Sequence, residues 1–506
     1  MTHDTLVYST KEEIKQCTED LAATFETGLT RPLSFRKQQL RQFVRLCDEQ
    51  RDALLEAVQK DIGKHPYETM ACELALVRDD AMRALDKLSS WAKPEYPSVR
   101  LTFALSRPHV RRVPYGMALI MGAWNYPLVL MLAPFVGAMA AGNTVVLKPS
   151  ELAPYSARAI TELLPRYLDQ RAYRVVNGAV EESSQLLATK FDYIFYTGSG
   201  HVGRIVMQAA AQQLTPVTLE LGGKSPLIIH RSCNLSVTAN RLFFGKFLNC
   251  GQTCIAPDYV LCPRDLIEPL MVELRRCYKA FFDGNARRSE CYGKIINERH
   301  FDRLMGLLEE DKASGCQVLL GGTSDREARY IEPTVILSNA KAALMRDEIF
   351  GPFMPIIEMD SVDEAISFVN RRDQPLTLYL FATDKKVIEK VRESTRSGAM
   401  LINDTMVHMA IAQLPFGGSG ASGMGRYRGK AGFDTFSNQR AFVHNGYFDD
   451  PARHLLIYPP YNTKRIPLFL LALSRYSPWN MKFKNATLLV LVLVLLGAFA
   501  KVRGLF

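Results

Sequence analysis

A thiol and a carboxylate stand in the order that oxidation through a thioester would need. Cys254 lies in Asn249-Cys250-Gly251-Gln252-Thr253-Cys254-Ile255, thirty-four residues after Glu220 in Thr218-Leu219-Glu220-Leu221-Gly222-Gly223-Lys224. A cysteine is the natural nucleophile towards an aldehyde carbon, because its thiolate is intrinsically reactive and partly populated near neutral pH. A nearby carboxylate can serve as the base that the later steps require. Either residue alone has a plainer reading, the cysteine as a small buried apolar side chain and the glutamate as a solvated one. Their surroundings decide.

The elements that must position these groups alternate. Short apolar runs predict strands at 117–121, 144–147, 175–176, 193–196, 217–219 and 227–229, with helices at 153–167 and 202–213 between them. After Cys254 a second series of strands is expected at 259–261, 318–320, 334–337, 355–357, 378–381 and 400–402. Strands apolar on both faces and separated by helices form parallel sheets covered by helices. The body therefore reads as two doubly wound α/β units in tandem, preceded by about ninety helical residues with Leu40, Phe43, Val44, Leu54, Leu55 and Val58 at helical spacing.

Tyr196-Thr197-Gly198-Ser199-Gly200-His201-Val202-Gly203 follows one apolar run and opens a helical one. A G-x-G-x-x-G loop in that setting can turn backbone N–H groups towards a pyrophosphate. A standard dinucleotide site then wants an acidic residue about 20 positions on to hold ribose hydroxyls, and Glu220 stands twenty-two after Gly198. On that reading Glu220 is a cofactor ligand and not a base. Lys148-Pro149-Ser150-Glu151 competes for the role, because Lys148 and Glu151 can both address an adenosine ribose and leave Glu220 free for chemistry. Spacing leaves both assignments open.

Six ordered motifs resemble the aldehyde dehydrogenase superfamily: Gly122-Ala123-Trp124-Asn125-Tyr126-Pro127, Lys148-Pro149-Ser150-Glu151, Leu219-Glu220-Leu221-Gly222-Gly223-Lys224-Ser225-Pro226, Gly251-Gln252-Thr253-Cys254, Glu348-Ile349-Phe350-Gly351-Pro352 and Pro415-Phe416-Gly417-Gly418-Ser419-Gly420. The forms Asn249-Cys250-Gly251-Gln252-Thr253-Cys254-Ile255-Ala256-Pro257-Asp258-Tyr259 and Gly423-Met424-Gly425 are similar to its class 3 branch, and the basic, apolar C-terminal tail is similar to that of the branch's membrane-anchored members that act on fatty aldehydes. The resemblance implies Cys254 as nucleophile, Glu220 as general base and Asn125 as oxyanion-hole amide. It also implies ribose contacts from Lys148, Glu151 and Glu348, Phe350 at the nicotinamide end, and Gly198, Ser199, Gly200, His201, Val202 and Gly203 at the cofactor phosphates. One departure is Gly200, where the family usually has Thr or a similar residue.

By the same resemblance the fold is α/β, with a Rossmann-like NAD-binding domain (1–95 and 115–221) and a catalytic domain (222–430). An oligomerisation arm (96–114 and 431–450) would support a homodimer, followed by a basic linker with a short apolar helix (451–484) and a membrane anchor (485–506). The expected activity is NAD-dependent oxidation of medium- to long-chain fatty aldehydes to fatty acids through a cysteine thiohemiacetal and thioester. Rival readings are an anchored dehydrogenase of short or aromatic aldehydes and a catalytically silent membrane scaffold. NAD is expected over NADP, since Glu151 beside the ribose would repel a 2'-phosphate, although at an exposed site the repulsion is modest and NADP stays in play. No metal is needed, because a thiohemiacetal already expels hydride.

Composition agrees. The net charge of +10 could suggest a nucleic-acid binder, but eight unopposed basic residues from Arg453 to Arg503 leave only +2 for the first 450 residues. No nucleic-acid partner is expected. Ten cysteines without a C-x-x-C pair form no disulfide framework or zinc site, and residues 1–16 lack the apolar core of a secretory signal. A cytosolic catalytic body follows. Near the C-terminus, residues 486–500 are uncharged and apolar all round, on the order of 22 Å as a helix, against about 30 Å for a typical bilayer core. Lys482, Lys484, Lys501 and Arg503 can snorkel from its ends. A thin bilayer such as the endoplasmic reticulum suits it, with the mitochondrial outer membrane, peroxisome or lipid droplet as other hosts.

Overall fold

The computed structural model describes residues 6–99, 106–447 and 455–473. Two compact units emerge, Met1–Ala92 with Arg112–Asn438, and Lys93–Arg111 with Gln439–Phe506.

Among the described residues, the first unit holds two large sheets. One runs in the order Gly423–Met424, Val217–Leu221, Tyr193–Gly198, Met117–Met121, Thr144–Lys148, Tyr173–Val175. The other runs Ala399–Ile402, Thr377–Phe381, Pro226–Ile229, Tyr259–Cys262, Phe353–Glu358, Thr334–Ser338, Gln317–Leu320. Each expected strand is present, its ends displaced by at most two residues. Met117–Met121 and Thr144–Lys148 are buried along their whole length, which is why they lack a polar alternation.

The expectation of purely parallel sheets needs correction at two edges. Gly423–Met424 lies antiparallel to Val217–Leu221, and Gln317–Leu320 lies antiparallel to Thr334–Ser338. The second case follows from its connection, which holds only the small hairpin of Ser324–Asp325 and Tyr330–Ile331 and no crossover helix.

Met117–Met121 is the pivot of the first sheet. The chain leaves it for Thr144–Lys148 and Tyr173–Val175 on one side, then returns to Tyr193–Gly198 and Val217–Leu221 on the other. Such a reversal opens a crevice beyond the C-terminal ends of the two strands that flank it, the ordinary ligand site of open α/β sheets. Residues 122–126 and 198–203 leave the strands at that crevice. Helix Val129–Ala141, apolar on every face, is buried throughout. It packs against Leu33–Glu49, Ala75–Trp91 and Gly429–Thr435, and so explains why the helical N-terminal segment is needed.

In the second unit the ring of His109 stacks on Phe442 at 5.3 Å, and Arg111 and Arg440 lie over the same ring at 5.2 and 5.1 Å. Ile466–Leu473 forms a short helix. The expected membrane anchor, 485–506, lies outside the described residues, as do 100–105 of the expected arm. Among the described residues no helix is long and apolar enough to cross a membrane.

A Cβ added at Gly137 would stand 2.9 Å from the carbonyl carbon of Gly432, backbone against backbone. Gly137→Ala should therefore push two helices apart and cost about 1–3 kcal/mol in urea unfolding.

Candidate active site

The segment before Cys254 is strained. After helix Leu235–Phe247, Asn249, Cys250 and Gly251 take φ values of 52°, 53° and 71°, all left-handed. For the two residues with a Cβ this costs about 1–2 kcal/mol each. At Gly251 a Cβ would also meet the Gly351 carbonyl oxygen at 2.2 Å. Hydrogen bonds hold the turn. Asn249 N donates to Glu68 Oε1 at 3.1 Å, and Asn249 Nδ2 donates to the carbonyls of Asn125 and Gln252 at 2.8 and 3.1 Å. Gln252 Nε2 donates to Asn249 O and Lys294 O, both at 3.1 Å, while its Oε1 accepts from Ile296 N at 3.0 Å. Cys254 emerges half-buried.

Asn125 faces it from the loop after Met117–Met121. Its Nδ2 donates to Gln252 O at 3.0 Å, and an amide carries a second N–H. Beneath it lies an ion pair with no exposure at either side chain: Lys64 Nζ donates to Glu73 Oε1 at 2.6 Å. The same ammonium donates to Asn125 O at 3.2 Å and sits 3.8 Å over the Tyr126 ring. Glu73 belongs to the π-helical turn Met70–Leu74, and its other oxygen accepts from Leu128 N at 2.9 Å, at the start of helix Val129–Ala141. Tyr126 OH and Thr253 Oγ1 share a hydrogen bond of 2.9 Å. Sequence reasoning missed both charged residues; the available signal was Glu73 standing four before Val77 on a buried helical stripe.

Asn125, Glu220, Cys254, Gly198, Ser199, Glu348 and Phe350 all line one cavity of about 240 Å³. Glu220, at the end of Val217–Leu221, is 3% exposed, and neither carboxyl oxygen has a partner in the protein. Burial pushes its carboxyl well above the ordinary range, with Arg426 pulling weakly the other way. Burial also raises the Cys254 thiol, and Glu348 and Glu220 add to the rise. The Glu348 carboxyl is pushed up to about 8, by burial first and Asp258 second. Burial thus acts in the same direction on the thiol and on both carboxyls. His300, reduced to about 4 by burial and the neighbouring Arg303, is a neutral imidazole in the same cavity, edge-on to Trp124 at 5.2 Å.

Lys148 and Glu151 do not line this cavity; they pair with each other at 2.8 Å beyond Thr144–Lys148. The glycine segment is less of a loop than its pattern suggests. Ser199 caps helix Gly200–Gln212 by accepting from Val202 N, so His201, Val202 and Gly203 belong to its first turn. Gly203 serves packing, since a Cβ there would meet Leu221 Cδ2 at 2.7 Å. Gly200 is sterically free, its Cβ position touching only Arg204 Nη1 at 3.6 Å. The donor set suits a dinucleotide: a helix N-terminus for phosphates, and in Glu348 Oε1 a buried acceptor without a protein partner for a ribose hydroxyl.

The aldehyde dehydrogenase family profile matches residues 3–442. The chain belongs to the aldehyde dehydrogenase family. Among curated relatives, aldehyde dehydrogenase family 3 member B1 of Rattus norvegicus is 44% identical over 90% of this chain and 97% of its own. Aldehyde dehydrogenase family 3 member A2 of Macaca fascicularis is 42% identical over 94% and 96%. A Staphylococcus aureus AldH structure in a substrate-bound state superposes with a TM-score of 0.86 at 39% identity, covering 90% of this chain and 99% of that one. The class 3 resemblance and the oxidising enzyme expected from the motifs stand on these matches.

Lys64→Met would leave the Glu73 carboxylate buried without its cation. The expected loss is about 3–5 kcal/mol of stability, read from urea unfolding, and Glu73→Gln should cost a comparable amount, because one amide oxygen cannot accept from both Lys64 Nζ and Leu128 N and the buried ammonium loses its counter-charge.

Proposed function

We propose that this dehydrogenase oxidises medium- to long-chain fatty aldehydes to fatty acids, with NAD, through a thiohemiacetal and a thioester on Cys254. The observation that carries the reading is a thiol, an amide and a partnerless carboxyl on the wall of one cavity. The Cys254 sulfur attacks the aldehyde carbon, and the oxyanion is received by Asn125 Nδ2 and the Cys254 backbone N–H, each such donor being worth about 3 kcal/mol. Glu220 takes the proton of the water that cleaves the thioester. The same retained groups argue against a silent scaffold.

The chemistry supplied by a bound nicotinamide dinucleotide is hydride acceptance. In this reading Lys148, Glu151 and Glu348 hold its riboses, the first turn of Gly200–Gln212 its phosphates, and Phe350 borders its nicotinamide end. A Mycobacterium tuberculosis aldehyde dehydrogenase of 25% identity was solved complexed with NAD+, and a Rattus norvegicus relative of 43% identity carries the name dimeric NADP-preferring. NAD with some use of NADP fits the carboxylate of Glu151, and a homodimer fits the arm at 96–114 and 431–450.

Long-chain preference rests on the apolar cavity wall of Leu130, Leu376 and Phe416 and on the uncharged run 486–500, which would anchor the cytosolic enzyme to a membrane such as the endoplasmic reticulum. Trp124, Phe350 and Phe416 would equally accept an aromatic aldehyde, the second reading. A rate series over saturated aldehydes of increasing length, with benzaldehyde beside it, separates them: rates that fall beyond hexanal would sink the fatty reading. Truncation from Asn485 should release the enzyme from the membrane pellet with hexanal oxidation intact.

Cys254→Ala should abolish turnover while NAD binding, followed by protein fluorescence, persists; Cys250→Ala should be mild. Glu220→Gln should lower steady-state turnover by about a hundredfold or more yet leave a first-turnover burst of NADH. Near-normal turnover with a raised NAD requirement would instead make Glu220 a ribose ligand. Because the Glu220 carboxyl lies above its usual range, its base form appears only as pH rises. Where hydrolysis limits, kcat should climb with pH in the wild type and lose that limb in Glu220→Gln.

A further inference from the structure

Five residues on the cavity wall carry a buried polar atom without a partner in the protein; Glu348 and His300 come from elsewhere in the chain, whereas Thr197 Oγ1, the Glu220 carboxyl and the Tyr427 hydroxyl belong together. Thr197 and Glu220 face each other in register on neighbouring parallel strands, so their side chains share one face of the sheet. Tyr427 comes from another segment and is held rigidly. Its backbone N–H donates to Phe416 O at 2.8 Å and its carbonyl accepts from Phe416 N at 3.0 Å. Its ring meets Phe195 and Phe416 edge-on at 5.1 and 5.5 Å. The next residue, Arg428, is tied to Asp80 at 2.6 Å with both side chains buried. These contacts hold the phenol at the cavity wall.

A buried polar group without a partner costs about 1–3 kcal/mol, and here three of them converge from two strands and a separate bridge. A single ligand that satisfies all three must be small and both donate and accept. Water does so, and a buried water typically finds two to four such partners.

We propose that Thr197, Glu220 and Tyr427 form the seat of the hydrolytic water, which makes Thr197 and Tyr427 catalytic residues of the thioester-cleaving step. The proposal rests on the reading of Cys254 as nucleophile and Glu220 as base. The water donates one hydrogen to Glu220 and one to Thr197 Oγ1, and accepts one from the Tyr427 hydroxyl. One lone pair is left for the acyl carbon. In the step, that lone pair forms the carbon–oxygen bond, the proton shared with Glu220 passes to its carboxylate, and the carbon–sulfur bond breaks with its electron pair kept by Cys254 as thiolate. Acid and thiolate account for every atom.

A phenol suits the third position. Burial, with Glu220 next, holds the Tyr427 hydroxyl well above its ordinary range, so it stays a neutral donor at every working pH. A carboxylate in its place would push Glu220 higher still.

The test uses the full chain with hexanal and NAD, following the NADH burst by stopped flow and the acyl adduct on Cys254 by intact mass after quenching. Tyr427→Phe should keep a burst of wild-type amplitude, slow the phase after it roughly 10–100-fold, as expected for the loss of one positioned donor, and accumulate the adduct. Thr197→Val should do the same more weakly, with Thr197→Ser close to wild type. Matching thermal melts exclude a folding defect; if Tyr427→Phe melts early, the Thr197 pair decides. The proposal falls if Tyr427→Phe turns over like wild type without adduct, or if the burst itself slows as much as the later phase. Failure of the underlying reading looks different, since then no variant, Glu220→Gln included, shows an adduct on Cys254.

Discussion

The ammonium of Lys64 has no access to water, and much of the site depends on where it finds its partners. A buried charge is tolerated only when paired and hydrogen-bonded. Lys64 meets this with the Glu73 carboxylate, the Asn125 carbonyl and the face of Tyr126. Those three contacts fix the loop that carries the proposed oxyanion donor. Through Asn249 Nδ2 on the same Asn125 carbonyl, they also reach the left-handed turn before Cys254. A turn with two non-glycine residues at positive φ persists only where its surroundings over-determine it. The N-terminal helices supply that determination, although none of their side chains carries chemistry.

A second buried cluster supports the other wall. Asp258 accepts from Lys224 Nζ at 2.5 Å and, with its other oxygen, from Ile349 N at 3.1 Å; Lys246 Nζ lies 4.0 Å away. Lys224 also donates to the carbonyls of Leu344 and Asp347. The strand that follows the nucleophile is thereby joined to the segment bearing Glu348 and Phe350. Burial pulls Lys246 down to about 8 while Glu348 is pushed up to about 8. Burial thus works against the charged form of both groups, and Asp258 favours the ammonium while it opposes the carboxylate.

The sheet was legible because its strands are apolar on both faces, a pattern that a solvent-facing strand cannot show. The edges were not, since Gln317–Leu320 is only half-buried and its antiparallel sense comes from a hairpin connection that hydrophobic patterning does not report. Cys254, Glu220 and Asn125 were legible as an ordered set of motifs. Whether Glu220 faces the thiol or a ribose is a question of three-dimensional placement that spacing along the chain does not carry; the structure puts the carboxyl on the wall of the cavity that Cys254 also lines. Lys64, Glu73, Thr197 and Tyr427 escaped notice for one reason. Each draws its meaning from a partner, or the lack of one, contributed by a distant stretch of chain. The left-handed turn was hidden too: Asn249 and Gly251 both tolerate positive φ, but Cys250 between them carries no such signature.

The polar groups of the cavity are divided in space. Asn125 follows Met117–Met121, whereas Thr197 and Glu220 belong to the next strands of the sheet, so amide and base approach from different sides. The same cavity is also lined by Leu130, Phe350, Leu376 and Phe416, whose side chains offer a water no hydrogen-bond partner. In the proposed reading, a polar corner of Thr197, Glu220 and Tyr427 beside those apolar side chains holds water at the place where it is useful. It also leaves the apolar remainder to the aldehyde's own chain. In the proposed reading the seat for water and the room for an apolar substrate have the same origin: the burial that pushes the Glu220 carboxyl above its ordinary range is the burial that an acyl chain seeks.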